Sequence, residues 1–392
     1  MPRSSSGCCS PGPIRSPKPA TPRSSPNSPA AGNCGNVPAL NSPAPTRLTS
    51  LRLADFRCFE RLKFSPAPGT NFVIGANAQG KTSILEAVCV ATRLQSPRTK
   101  SLAECVRGGQ PGFGVSVRVS DTHLQCRYEP PKRTLRLDSV EQSRPADYLQ
   151  TARVAWFAND DLEIIRGSAA RRRRALDFLC GQLDPAYIRA LRRADRALRS
   201  RNALLRDHRP RPEIDAFDPE FIENGDRVTA IRAEACSALE PLIAQAVQDI
   251  GGQAEAVTTR YVPGASEPLA AALPASRDRE TRLRQTVVGP HRDDLAIELN
   301  GLDAAKFASE GQQRTLAIAL KLAQTRLLIA RMEVTPILLI DDIFGELDVT
   351  RRTNLLAHLP SDSQRLITTT HLGWLEESAE ATIFELADHR IQ

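Results

Sequence analysis

The chain is missing several features that would settle its class at once, and each absence excludes something. No stretch approaches the ~18 to 20 consecutive apolar residues of a membrane-spanning helix; the longest apolar runs, such as "TPILLIDD", have the length of a strand. No membrane partner is expected, and the composition, 41% hydrophobic with 25% charged, is that of a cytoplasmic globular protein. The nine cysteines form no C-x-x-C pair and no Cys/His ligand spacing, which argues against a zinc site or a disulfide framework and for reduced, structural thiols. Acidic residues are absent from positions 1 to 47, where Arg3, Arg15, Lys18, Arg23 and Arg47 supply +5 of the net charge of +7. The rest of the chain is almost balanced, so an argument for nucleic acid must rest on local clustering.

Residues 1 to 46 are rich in Pro, Ser, Ala and Gly and are expected to be a disordered tail, because they bury too little surface to offset the entropy of ordering. The tail's Arg/Ser-rich composition is like that of a transit peptide but shows no amphipathic helix; a misassigned upstream start codon explains it as well. From "LTSLRLADFRCFERLKFSPAPGTNFVIG" the alternation predicts two antiparallel strands and a core strand ending at Ile74, followed by the helix "TSILEAVCVATRL". Residues 113 to 140 alternate again and predict a small antiparallel sheet; Asp160 to Ala246 reads as helix.

The stretch "GANAQGKT" follows a predicted strand, precedes a predicted helix and fits G-x-x-x-x-G-K-T. In that reading Gly75, Ala76, Asn77, Ala78, Gln79 and Gly80 present backbone N–H groups to the phosphates of ATP, Lys81 reaches the β/γ-phosphates, and Thr82 binds Mg²⁺. "TPILLIDD" supplies a buried strand ending in two carboxylates: Asp341 to hold Mg²⁺ through water, Asp342 to orient or deprotonate the attacking water. Far downstream of the first loop, "ASEGQQRT" opens a second helix on Ser309, Gly311 and Gln312, a start that also offers free N–H groups to an anion.

The order of these parts, with "GELD" ending at Asp348 and "ITTTH" ending at His371, resembles the ABC-type ATPases. The resemblance implies that Ser309, Gly311 and Gln312 cap the γ-phosphate held by a second copy's phosphate loop, that Asp348 lies in the loop passing between protomers, and that His371 fills the switch-histidine position. Taken alone, His371 is a surface histidine at a strand end. Thr82 and Ser309 are 227 positions apart, longer than the insert of a transporter ATPase and shorter than that of an SMC protein, and the intervening helices sustain no heptads. "LADFRCFE", "LEIIRGSAARRRRALDFL" and "VVGPHRDDL" then narrow the resemblance to the RecF family of DNA replication and repair proteins. RecF-type chains usually carry proline where this one has Asn159 and Ala169, departures expected to loosen two turns and leave the ATP site untouched.

The resemblance implies an α/β fold: an ABC-type (P-loop) ATPase head of residues 47–155 plus 285–392, with a small antiparallel sheet, and an inserted helical lobe over 156–284. It implies a weak, slow ATPase gating a DNA clamp, an ATP-dependent homodimer, the partners RecR and RecO, indirect action on RecA, and a nucleoid-associated role in gap repair and the SOS response. An SMC-like or defence-system ATPase outside that pathway, and a transporter-type subunit, remain alternatives. Fourteen arginines lie between Arg166 and Arg211 against four acids. In "YIRALRRADRALRSRNALLR" the residues Ile188, Leu191, Leu198 and Leu205 predict a buried stripe, leaving Arg189, Arg192, Arg193, Arg196 and Arg199 to neutralise DNA phosphates. With no interleaved aromatics, duplex, gapped or junction DNA fits better than a single-strand stacking platform.

Overall fold

Two sheets with one helix between them organise the chain. The computed structural model describes residues 44–251, 255–373 and 381–392. It begins with strand β1 (Ala44–Pro45), the hairpin β2 (Leu48–Phe56) and β3 (Phe59–Phe64), strand β4 (Thr70–Ile74) and helix α1 (Lys81–Arg93). Strands β5 (Phe113–Val119), β6 (Thr122–Glu129), β7 (Lys132–Leu137) and β8 (Val140–Glu141) follow, and α2 (Pro145–Leu149) leads to β9 (Val154–Ala158). The helices α3 (Leu162–Arg166), α4 (Ala169–Leu183), α5 (Pro185–Arg206), α6 (Arg211–Asp215) and α7 (Asp218–Gly251) come next. After β10 (Val257–Val262) come α8 (Leu269–Ala275), α9 (Arg277–Leu283), β11 (Asp294–Leu299), β12 (Leu302–Asp303) and α10 (Ala304–Phe307). The chain continues with α11 (Glu310–Met332), β13 (Val334–Thr335), β14 (Ile337–Asp341), α12 (Val349–His358), β15 (Arg365–Thr369), β16 (Ala381–Ala387) and β17 (Arg390–Ile391).

The central sheet runs β17-β16-β4-β15-β14-β9, parallel throughout except for the β16–β17 hairpin. Strands β4, β15, β14 and β9 are short, nearly continuous apolar runs because both faces are covered. Successive side chains alternate: Ile337, Leu339, Val154 and Trp156 face α1, whereas Leu338, Ile340, Ala155 and Phe157 face α11. Every residue of α1 except Thr82 is buried, since the antiparallel sheet β3-β2-β5-β6-β7-β8 covers its other side. That second sheet is one-sided, with Leu51, Leu53, Val115, Val117, Leu124 and Leu135 turned inward and polar residues outward.

Three expectations change. Residues 1–43 of the expected tail lie outside the described residues, but Ala44–Pro45 pairs with Val334–Thr335 and Thr46 donates to the Thr335 carbonyl at 3.0 Å. The helical insert is not a separate body: the boundary at residue 155 falls inside β9, and Cys236, Leu239, Ile243, Val247 and Ile250 of α7 share one core with α11 and the central sheet. On α5 the buried stripe is Tyr187, Ala190, Ala194, Ala197, Arg201 and Leu205, while Ile188, Leu191 and Leu198 are only half-buried. Alanines let α5 lie close against α7, while Tyr187 and Arg201 reach further in, to Arg232 and Glu280.

Candidate nucleotide site and nucleic-acid interface

The phosphate loop is shaped by what surrounds it. A Cβ on Gly75 would stand 2.3 Å from the Leu386 carbonyl oxygen, and one on Gly80 (φ +103°) would stand 2.6 Å from Cys58 Sγ and 2.7 Å from the Phe59 ring. The loop is therefore gripped by the C-terminal hairpin and the β2–β3 hairpin, leaving room for glycine alone. Gln79 at its tip meets His389, whose Nδ1 is 2.9 Å from the Gln79 carbonyl. Gly80 caps α1 without a side-chain hydrogen bond, so the first-turn N–H groups remain available to an anion. Lys81 Nζ donates to the carbonyls of Gly75 (2.6 Å) and Ala76 (2.9 Å). Burial holds its pKa below the ordinary lysine value, opposed by Asp342 and Asp341.

Asp341 ends β14 at the point where β15 places Thr368 opposite it. One carboxylate oxygen accepts from Thr82 Oγ1 at 2.8 Å and from Thr368 Oγ1 at 2.7 Å, and burial raises its pKa against those two hydroxyls. A hydroxyl and a carboxylate in contact at the end of a phosphate loop are the donor set with which such sites hold Mg²⁺ together with nucleotide oxygens, so Thr82 and Asp341 fit that ion. Asp342 has φ +50°, a conformation disfavoured for a non-glycine residue. Its N–H donates to the Thr368 carbonyl at 3.1 Å. Burial raises the Asp342 carboxylate, Lys81 and His371 lower it, and Glu346 adds to the rise. His371 is exposed and its carbonyl accepts from Thr369 Oγ1 at 3.0 Å. Thr82, Asp341 and Asp342 line a cleft of about 330 Å³ with Arg98, Asn159 and Lys321.

Asn159 bears directly on this site. Its Nδ2 donates to the Asp342 carbonyl at 3.1 Å, a bond that proline could not make, so the departure from the family pattern touches the strand end that carries the paired aspartates. Sequence reasoning also missed Glu86, fully buried and one helical turn beyond Thr82. Burial alone would raise its pKa, but hydrogen bonds from Arg57 and Ser96 and the charge of Arg98 bring it below the ordinary value. Arg57 binds it with two nitrogens, at 2.7 and 2.9 Å.

Ser309, Gly311, Gln312 and Asp348 form a second cluster, and none of them lines that cleft. Ser309 caps α11 reciprocally with Gln312: its N–H donates to Gln312 Oε1 at 2.8 Å, and its Oγ accepts from the Gln312 N–H at 3.3 Å. Gln312 Nε2 also donates to Glu255 at 2.8 Å. Asp348 caps α12 and pairs with Arg351, whose guanidinium stands 3.4 Å from where a Gly311 Cβ would be. Arg314 joins the two segments through Glu310 (2.9 Å) and Glu346 (2.8 Å).

Arg189, Arg192, Arg193, Arg196 and Arg199 are all exposed on α5. The family-typical stretches around them have another role. Arg172 binds Asp294 with two nitrogens, at 2.6 and 2.9 Å, and Arg173 donates to the Asp293 carbonyl at 2.7 Å. Asp293, fully buried, accepts from Arg232 at 2.7 Å, from the Gly264 N–H at 2.8 Å and from the Tyr261 hydroxyl. Arg232 also binds Asp177 at 2.7 Å, and Asp177 accepts from Tyr187. "RRRRALD" and "GPHRDD", far apart in sequence, are thus the two halves of one buried polar network; the like-signed clusters in each were the available signal.

The family described as the RecF/RecN/SMC N-terminal domain matches residues 47–390. The "DNA replication and repair protein RecF" of Shouchella clausii is 32% identical over 359 residues, covering 86% of this chain and 96% of its own length. The protein of the same description from Rippkaea orientalis is 34% identical over 366 residues, covering 84% and 96%. Among solved structures, one described as the recombination mediator protein RecF with ATP in the RecFOR pathway superposes with a TM-score of 0.82 at 25% identity, covering 90% of this chain and 99% of that one. An Smc head domain from Pyrococcus furiosus shares the fold at a TM-score of 0.51 and 13% identity, covering 88% of this chain and 95% of its own. With its phosphate loop, paired aspartates and signature helix on an ABC-type ATPase head, this chain belongs to the RecF family.

Proposed function

We propose that the protein is an ATP-dependent DNA clamp of recombinational gap repair, a slow ATPase that binds duplex or gapped DNA as an ATP-induced homodimer. The observation that carries this reading is the separation of the site into two finished halves. Gly75–Thr82 with Asp341 and Asp342 form one; Ser309, Gly311 and Asp348, ordered by their own caps and ion pairs, form the other outside the cleft that Thr82 and the aspartates line. A second copy turned about a two-fold axis would bring each half to its complement.

ATP with Mg²⁺ supplies the reacting phosphoryl group and the charge that both halves recognise. Lys81 would exchange its carbonyl partners for phosphate oxygens, Thr82 and Asp341 would hold the ion, and Asp342 would receive the proton of the attacking water. Asn159 holds the Asp342 backbone, and His371 biases the same carboxylate from the strand end. The short reach of Asp342 fits slow turnover, and the exposed arginines of α5 fit backbone contact with DNA. The family supports RecR and RecO as partners, RecA as the protein whose loading is helped, and a cytoplasmic, nucleoid-associated setting.

Light scattering with and without ATP and gapped duplex tests the reading. The parent is expected to double in mass with ATP, and Ser309→Arg to bind ATP normally yet stay monomeric. A Ser309→Arg variant that still pairs in ATP would remove Ser309 from the shared site.

A further inference from the structure

The outward face of the antiparallel sheet is cationic, and nothing in the nucleotide site uses it. Pairing register sets the pattern. One row across the strands reads Lys63, Arg52, Ser116, Gln125, Arg136, and the next reads Arg61, Ala54, Gly114, Arg127, Thr134. The inner residues between these positions are the buried ones, so both rows face away from the core. The small residues Ala54, Gly114, Ser116 and Thr134 make the middle of the face low. They floor a trough of about 610 Å³ bordered by Arg52, Arg127, Lys132 and Arg136, with the carboxylates Glu129 and Glu141 also on its wall.

The charges here are left unbalanced. Arg127 pairs with Glu129 at 2.6 Å, Glu129 also stands opposite Lys132 in the ladder and Glu141 opposite Arg136, and these two carboxylates face the six cations Arg52, Arg61, Lys63, Arg127, Lys132 and Arg136. Among the described residues Arg52, Arg61, Lys63, Lys132 and Arg136 form no ion pair. Arg52 and Lys63 are direct cross-strand partners, an arrangement of like charges that weakens a sheet. A fold keeps such a pair at little net loss when an external anion neutralises it.

We propose that this face is a second site for the phosphate backbone of duplex DNA, distinct from the arginine stripe on α5. The inference rests on the DNA-clamp reading and adds a surface to it. Length fits: from β2 to β7 is three strand spacings, about 14 Å at ~4.8 Å each, and one strand of B-DNA carries a phosphate for about every 3.4 Å of axis. Chemistry fits as well. Arginines with Ser116, Gln125 and Thr134 are the donors that contact phosphate oxygens, and the two rows hold no aromatic residue on which an unpaired base or a protein hot spot would build. The two basic regions adjoin, because α2 packs against both β7 and α5. Arg133 of β7 also lies near enough to Arg192 to repel it, adding to the desolvation that holds that guanidinium below its ordinary pKa.

The test is a salt titration of binding to a fluorescent gapped duplex in ATP, comparing the full-length parent with Arg52→Gln/Arg136→Gln. Both positions are exposed, so the variant should melt at or slightly above the parent's temperature, since it relieves the Arg52–Lys63 repulsion, and it should bind a fluorescent ATP analogue as the parent does. The expected result is weaker binding, with the slope of log K against log salt reduced by about 2, roughly one for each phosphate that the variant no longer neutralises. A double variant that keeps both the affinity and the slope overturns this site and leaves the clamp reading standing. A parent that fails to bind gapped duplex overturns the clamp reading, and this site with it.

Discussion

Arg171–Arg174 and Arg189–Arg199 are neighbours in sequence and alike in composition, yet they meet opposite fates. In the first run Arg172 and Arg173 are committed to Asp294 and the Asp293 carbonyl, and Arg174 donates to the carbonyls of Ser96 and Thr99 at 2.8 and 2.6 Å. In the second, Arg189, Arg192, Arg193, Arg196 and Arg199 stay on the surface, while Arg201 of the same helix is fully buried against Glu280 and Asp218. Arginine content therefore does not separate a DNA-binding face from a structural joint. What separates them is whether the fold brings an acid or a carbonyl to the guanidinium.

Breaking the joint should have the largest effect. Arg232→Met leaves Asp293 and Asp177 without their shared cation, and removing one member of a buried ion pair costs about 3–5 kcal/mol. Urea unfolding should show a midpoint shifted accordingly, and a shift worth less than about 1 kcal/mol would mean that the network is dispensable. Next comes His291, which packs among these arginines. Burial pushes its pKa down to about 4 against the upward pull of its bond to the Thr286 carbonyl, and the charges of Arg292, Arg173 and Arg201 add to the fall. The unfolded chain takes up this proton first, near pH 6.5. The His291 contribution is therefore complete above that pH and is lost as pH falls through about 4, a change on the order of 3 kcal/mol. Unfolding at pH 7 and at pH 4.5 should differ by correspondingly less in His291→Gln than in the parent; equal differences would rule His291 out as the titrating group.

The smallest effect on stability belongs to the exposed run. Arg193→Glu/Arg196→Glu should unfold within about 0.5 kcal/mol of the parent. It should nevertheless bind gapped duplex more weakly, with a flatter dependence on salt. Unchanged binding would make the stripe a solvated surface and leave the sheet face as the basic surface to test.

The nucleotide-site elements are legible from sequence because each is a contiguous motif whose chemistry requires its spacing: loop before helix, apolar strand before paired aspartates, Ser309 at a helix start. The rest depends on distant segments meeting. Glu86 looks like an ordinary helix residue until Arg57 and Arg98 converge on it. The buried stripe of α5 runs through alanines, which carry little hydrophobic weight in a helical pattern but permit the closest helix approach. Asn159 reads as a loosened turn because no sequence pattern records that a side chain will reach the carbonyl of Asp342. The insert reads as a lobe of its own because the motifs of the head flank it, whereas α7 sends its apolar face back into the head's core.

The order of the central sheet sets a condition on when the protein can act. β4, which delivers the phosphate loop, lies between β15 and β16, strands that follow it far along the chain, and the Leu386 carbonyl closes against Gly75. A chain cut before Ala381 carries its phosphate loop without the walls that shape it. Competence to take nucleotide therefore requires the segment from Arg365 to Ile391 as well as the phosphate loop itself, and a fragment truncated before Ala381 is expected to lose it.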